Sequence, residues 1–139
     1  MTKLPAHIIA GETGRWTEIM FRALSNRVAK RWRFVSFRGK NKGEWRGIVD
    51  VLAIRKDTRQ PTSRKLKRGD LFDMILIQLK GGSARLPDLE EKRRLQQVAK
   101  HYGAREVVLF QWERGRTADF CTLDRALNWQ RTTSLQIFG

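Results

Sequence analysis

Apolar residues recur along this chain in two rhythms. Trp16, Ile19, Met20, Ala23, Leu24, Val28 and Trp32 come at intervals of three and four, which predicts an amphipathic helix over residues 16–32. Thr13 or Gly14 could start it, and Arg15, Arg22, Arg27, Lys30 and Arg31 lie mostly outside the stripe. Residues 33–37 then alternate as a short strand, with Phe34 and Ser36 in register on one side. Arg38-Gly-Lys-Asn-Lys-Gly43 has the composition of a turn and is strongly basic. Two apolar runs, 46–55 and 71–79, predict buried strands. The polar segment between them, 56–70, carries Pro61 and Gly69 and predicts a long loop or a hairpin tip.

Gly81-Gly82 closes the second run, and Pro87 suits the first turn of a second helix reaching Tyr102. Leu89, Leu95, Val98, Ala99 and Tyr102 give that helix an apolar face, Glu90 stands four residues before Arg94, and Gly103 is a natural C-cap. Residues 107–111 predict a strand, 113–117 a turn, 118–122 a weaker strand and 123–130 a short helix. Strands separated by a helix require a parallel crossover, so the pattern predicts an α/β fold with a mixed sheet and flanking helices, in the order α-β-β-β-α-β-β. The length, 139 residues, fits a single domain spanning 1–139.

The two apolar runs are not purely apolar. Gly47-Ile-Val-Asp50-Val-Leu-Ala-Ile54 contains an acid, and Met74-Ile-Leu-Ile-Gln78-Leu-Lys80 ends on an amide and an amine two residues apart. Burying such groups without partners costs several kcal/mol, on the order of 2–7 for an amide, so they require a reason. Strand side chains repeat every second residue, which puts Gln78 and Lys80 on one face. Hydrolysis of a phosphodiester with a divalent metal needs hard oxygen ligands and a positive group near the attacking water. Asp50 can ligate Mg2+ or Mn2+, the Gln78 amide oxygen and the Leu79 backbone carbonyl can add ligands, and Lys80 can assist the water. Plainer accounts exist for each residue. Asp50 could cap a turn or pair with an arginine, and Lys80 could be a strand end reaching solvent.

Charge narrows the partner. The chain holds 29 Lys+Arg against 14 Asp+Glu, a net charge of +15, with 40% hydrophobic residues. That is a globular composition whose basic surplus favours a polyanion, as a nucleic-acid enzyme or a ribosomal protein would. Residues 1–80 hold 19 Lys+Arg and 7 acids, and residues 81–139 hold 10 and 7, so the basic surface belongs to the half with the marked runs. Arg38, Lys40, Lys42, Arg64, Lys65, Lys67 and Arg68 are the candidates for holding a nucleic-acid backbone. The 64–68 cluster would serve as an arm beside the site or along one groove, or else stand as a solvated loop. Cys121 is alone, which excludes an intrachain disulfide and suits a reducing, cytoplasmic setting. No apolar run approaches a membrane span, and His7 and His101 lie outside any Cys/His cluster, which argues against zinc. The five tryptophans read as core and interface residues, with Trp45 in its basic turn as the exception.

An acid in one strand followed by acid-x-Lys at the end of the next is the signature of the PD-(D/E)XK, restriction-endonuclease-like nucleases. Gly47-Ile-Val-Asp50 resembles the corresponding strand of archaeal Holliday-junction resolvases, and Gln78-Leu79-Lys80 is similar to the Q-x-K variant of Mrr-type endonucleases. The resemblance spans about residues 12–111. It implies a metal-dependent DNA endonuclease, structure-selective and dimeric, with a glutamate from the first helix facing the site. Glu18 is the first choice for that glutamate, with Glu12 and then Glu44 behind it; otherwise Glu18 is an exposed acid paired with Arg15 or Arg22. The departure is Gln78 where an acid is usual, which removes a negative charge. A nucleic-acid-binding protein that has lost the metal is therefore the competing expectation, and a basic RNA-binding protein of another fold is the third.

Overall fold

In the computed structural model the described residues are 6–37, 47–82, 85–113 and 118–139, with side chains from Gly14 onward. The chain runs α1 (Ala6–Asn26), β1 (Arg33–Ser36), β2 (Val51–Lys56), β3 (Phe72–Gly81), α2 (Leu89–Tyr102), β4 (Glu106–Trp112), β5 (Asp119–Leu123), β6 (Trp129–Thr132) and α3 (Ser134–Phe138). The strands form one sheet in sequence order, antiparallel throughout except for the parallel β3–β4 pair that α2 connects. That is the mixed sheet with flanking helices that the hydrophobic pattern predicts.

β3 is central and buried on both faces. Ile75, Ile77 and Leu79 point into the main core with Val51, Ala53, Val108, Phe110 and Phe120, under Phe21 of α1 and Phe138 of α3. Phe21 stands edge-on to Phe34, Phe110 and Phe138, with ring centroids 5.4, 5.5 and 6.0 Å away. Leu76 and Gln78 face the other side, where buried Leu95 of α2, Val107 and Leu109 form a smaller apolar layer.

Several element ends depart from the sequence expectation. α1 starts ten residues earlier than Trp16 and stops at Asn26; Arg31 adopts a positive φ of 65°, and Trp32 enters the core as extended chain. The buried line of α1 is Thr17, Phe21 and Ser25, whereas Trp16 and Ile19 are exposed at 48% and 42%. Small Thr17 and Ser25 let the helix sit close to the sheet, so its buried face is rotated from the stripe of large residues. α2 opens after an Asp88 N-cap, whose carboxylate accepts the Glu91 amide at 2.9 Å, and Pro87 precedes that cap. Of its expected apolar face, Leu95 is buried, while Leu89 and Tyr102 are exposed at 51% and 62%. Gly103 closes it in the left-handed conformation, as expected.

The expected helix at 123–130 is a β-hairpin. The Asp124 carboxylate accepts the Asn128 amide and the Gln130 side-chain amide, each at 2.9 Å, and Leu127 takes a positive φ of 65°. Those hydrogen bonds hold the Asp124 carboxyl below its ordinary pKa and fold the chain into a turn in competition with a helix. The real helix follows, capped by Thr133, and drives Phe138 into the core.

Candidate active site

The β2–β3 ladder opens at Asp50, and that opening builds the site. Val51 still pairs with Ile77, and the Asp50 amide still donates to the Ile77 carbonyl at 2.9 Å. One step on, the Leu79 amide finds no strand carbonyl and donates instead to Asp50 Oδ2 at 2.8 Å. The carboxylate thus substitutes for a missing ladder acceptor where β2 leaves the sheet. Asp50 is not inside a strand, as the 46–55 run suggested, but in the bend immediately before β2.

Gln78 and Lys80 project from β3 into the same cleft, a hollow of about 430 Å3 that Asp50, Leu79 and the backbone around Gly47 also line. Gln78 is only 5% exposed, and its Oε1 has no hydrogen-bond donor among the described residues. An unanswered carbonyl oxygen buried at a carboxylate-lined cleft is what a hard cation would satisfy, so the donor set fits Mg2+ or Mn2+ in kind. The described residues contain no group of three or more His, Cys, Asp or Glu that could hold a metal. A cation here would rely on few carboxylates and keep several waters, as Mg2+ commonly does.

Glu18 is not among the described residues lining the cleft. Its carboxylate accepts a hydrogen bond from the Ser36 hydroxyl, and Ser36 pairs with Val51, the neighbour of Asp50. The next residue, Phe37, donates its amide to the Asp50 carbonyl at 3.0 Å, so α1 reaches the site through β1. The side chain of Glu12, and the whole of Glu44, Trp45, Arg38, Lys40 and Lys42, lie outside the described residues.

Arg64, Lys65, Lys67 and Arg68 are exposed, in the loop between β2 and β3. Topology puts that loop at the far end of the hairpin. Asp50 precedes β2 and the loop follows Lys56, six residues of strand or roughly 20 Å away. In chain order the cluster thus follows the end of β2 opposite to Asp50. A second cluster at that end is structural: Asp73, with a side chain 3% exposed, is paired to Arg55 at 3.2 Å and to Arg105. Arg55 also lies over the Trp32 ring, 4.1 Å from its centroid.

Two cleft residues were not among the site candidates read from the sequence: Glu91, and Arg94, which entered there only as the helical neighbour of Glu90; both come from the first turns of α2. The signal that could have found them is the crossover itself. It returns the chain from the end of β3, so the first helical turn hangs over that strand end. A larger hollow of about 820 Å3 lies at the other end of α2, between Lys100, Arg105, Glu106 and Arg125. Burial there pushes the Glu106 carboxyl above its ordinary pKa. It contains neither Asp50 nor Lys80.

Among the described residues no helix is long and apolar enough to cross a membrane. No family model and no curated protein sequence matches the chain. Among solved structures, it is similar to Hjc of Archaeoglobus fulgidus, a Holliday junction resolvase from an archaeal hyperthermophile. The TM-score is 0.53 at 14% identity, covering 90% of this chain and 99% of that one. The likeness at this identity is one of fold: the chain has the α/β, restriction-endonuclease-like architecture of that resolvase, a mixed sheet with helices on its faces.

Proposed function

We propose that the protein is a divalent-metal-dependent DNA endonuclease of the PD-(D/E)XK type, structure-selective and acting as a homodimer. The observation that carries this reading is the Asp50 carboxylate on the Leu79 amide, where β2 parts from β3, with Gln78 and Lys80 in the same cleft. Asp50 would hold Mg2+ or Mn2+ with the Gln78 amide oxygen and the Leu79 carbonyl. Such an ion supplies charge for the phosphate and a more acidic water. Lys80 orients that water and offsets charge gathering on the phosphate oxygens, and buried Gln78 keeps bulk water out. Glu18, anchored on Ser36, holds β1 and the Phe37–Asp50 contact in place behind the site. The +15 charge holds the DNA, with Arg64, Lys65, Lys67 and Arg68 gripping the backbone at a distance from the cut. The resolvase fold supports a branched substrate and a dimer that reaches two strands.

The test is a cleavage screen of branched, flapped, nicked and linear DNA with Mg2+ and with Mn2+. Wild type should cut at least one substrate, and Lys80→Ala should bind it and leave it uncut. Metal-dependent cleavage absent from every substrate sinks the enzymatic claim. Gln78 favours a second reading, in which the chain binds nucleic acid without cutting it, as a Q-x-K site short of one charge could. Cleavage gained only in Gln78→Glu would select that reading.

A further inference from the structure

Gln78 leaves the sheet one carboxylate short, and α2 carries another to the same place. Glu91 is half-buried and lines the cleft together with Asp50 and Gln78. Its backbone amide is committed to the Asp88 cap at 2.9 Å. Its carboxylate is not committed. In a capping box the residue at this position turns its side chain back to the cap amide. Here no hydrogen bond or ion pair among the described residues engages the Glu91 carboxylate, although Arg94 stands on the next turn. Across the cleft, the Oε1 of Gln78, 5% exposed, is equally unanswered.

These features share one chemistry. Two carboxylates and an amide oxygen make a hard-oxygen set with a charge of −2, whereas Asp50 and Gln78 alone give −1. An oxygen that no donor reaches can be satisfied by a cation, and a carboxylate lining the same cleft supplies the charge that an amide cannot. Lys80 and Arg94 in the same cleft then provide the positive groups that a phosphate would meet.

We infer that Glu91 is the second carboxylate of a divalent-cation site formed with Asp50 and Gln78, the acid being carried by the helix instead of by β3. This rests on reading the cleft as a metal site. It goes beyond that reading in assigning to α2 the charge that the strand lacks.

The experiment is Mn2+ binding by the whole chain without DNA, followed through the electron paramagnetic resonance signal of the free ion. Glu91→Gln should weaken Mn2+ binding at least about tenfold, as should Asp50→Asn. In Gln78→Glu/Glu91→Gln, where the acid is moved from helix to strand, affinity should return to within a few-fold of wild type. That rescue separates a ligand from a helix cap, because a cap lost at Glu91 would not be restored from β3. Wild-type affinity in Glu91→Gln, or no rescue in the double variant, overturns the assignment. The nuclease reading fails separately: a protein that binds Mn2+ through Glu91 and cuts no DNA refutes cleavage and leaves the cation site standing.

Discussion

Asp50 carries two duties that substitution can separate, because one needs an oxygen and the other needs a charge. Its Oδ2 is the acceptor for the Leu79 amide at 2.8 Å, in a strand whose residue 79 is 7% exposed. Asp50→Ala removes that acceptor and leaves a buried N–H unpaired, which costs about 1–3 kcal/mol. For a chain of 139 residues, at about 2.1 cal/mol/K of unfolding entropy per residue, this lowers Tm by roughly 3–10 °C. Asp50→Asn keeps a carbonyl oxygen for the same amide and exchanges a charged hydrogen bond for a neutral one, so its Tm should fall by less than half as much. Cleavage should be lost in both, since an amide does not replace a carboxylate at a cation. The assay pairs thermal unfolding in EDTA with single-turnover cleavage in Mg2+. Equal Tm losses for Ala and Asn would refute the ladder-acceptor role. Cleavage by Asp50→Asn at the wild-type rate would refute the metal-ligand role.

Other consequences follow from groups away from the cleft. Replacing both partners of Asp73, in Arg55→Met/Arg105→Met, leaves a carboxylate 3% exposed without a counter-charge and should cost about 3–5 kcal/mol in urea unfolding. Asp73→Ala should cost less, since the freed arginines, 23% and 37% exposed, can turn to water; the reverse order would contradict this account. Burial raises the Glu106 carboxyl, so the folded chain holds that proton to higher pH than the unfolded chain and stability falls as pH climbs through that interval. Glu106→Gln should therefore melt higher than wild type at neutral pH, with the gap closing below the ordinary carboxylate range. Neutralising Arg64, Lys65, Lys67 and Arg68 should lower the salt slope of DNA binding by up to roughly 3–4, while the cleavage rate at saturating DNA stays unchanged. An unaltered slope would remove that loop from the interface.

The strands and the crossover were legible because burial imposes them. A run such as Met74-Ile-Leu-Ile, followed by Gly-Gly and then a helical pattern, has few other ways to hide its side chains. Asp50, Gln78 and Lys80 were legible for the opposite reason, as polar groups where an apolar run should have excluded them. What escaped was set by contacts remote in sequence. Thr17 and Ser25 are buried because small residues suit a helix lying close on a sheet, which no hydrophobic stripe announces. The 123–130 segment has helical composition, yet the side chain of Asp124 closes a turn that outcompetes it. Glu91 belongs to no pattern that marks it in the sequence, and only the return of α2 over the end of β3 places it in the cleft.

The hairpin also separates where the chain could cut from where it could hold. Asp50 and Lys80 lie at one end, and the loop that carries Arg64, Lys65, Lys67 and Arg68 leaves from the other end of β2, a strand roughly 20 Å long. Duplex DNA advances 3.4 Å per base pair along each strand, so that length matches about six base pairs. A duplex lying along β2 and β3 would bring its backbone to the arginine cluster about half a turn from the phosphate in the cleft. Contacts of that kind register backbone geometry and carry no base sequence. On the proposed function, the same six-residue strand that buries Val51 and Ala53 would then act as the ruler between grip and cut. On that function, contacts at both ends of the hairpin would report the shape of the DNA backbone and not its base sequence.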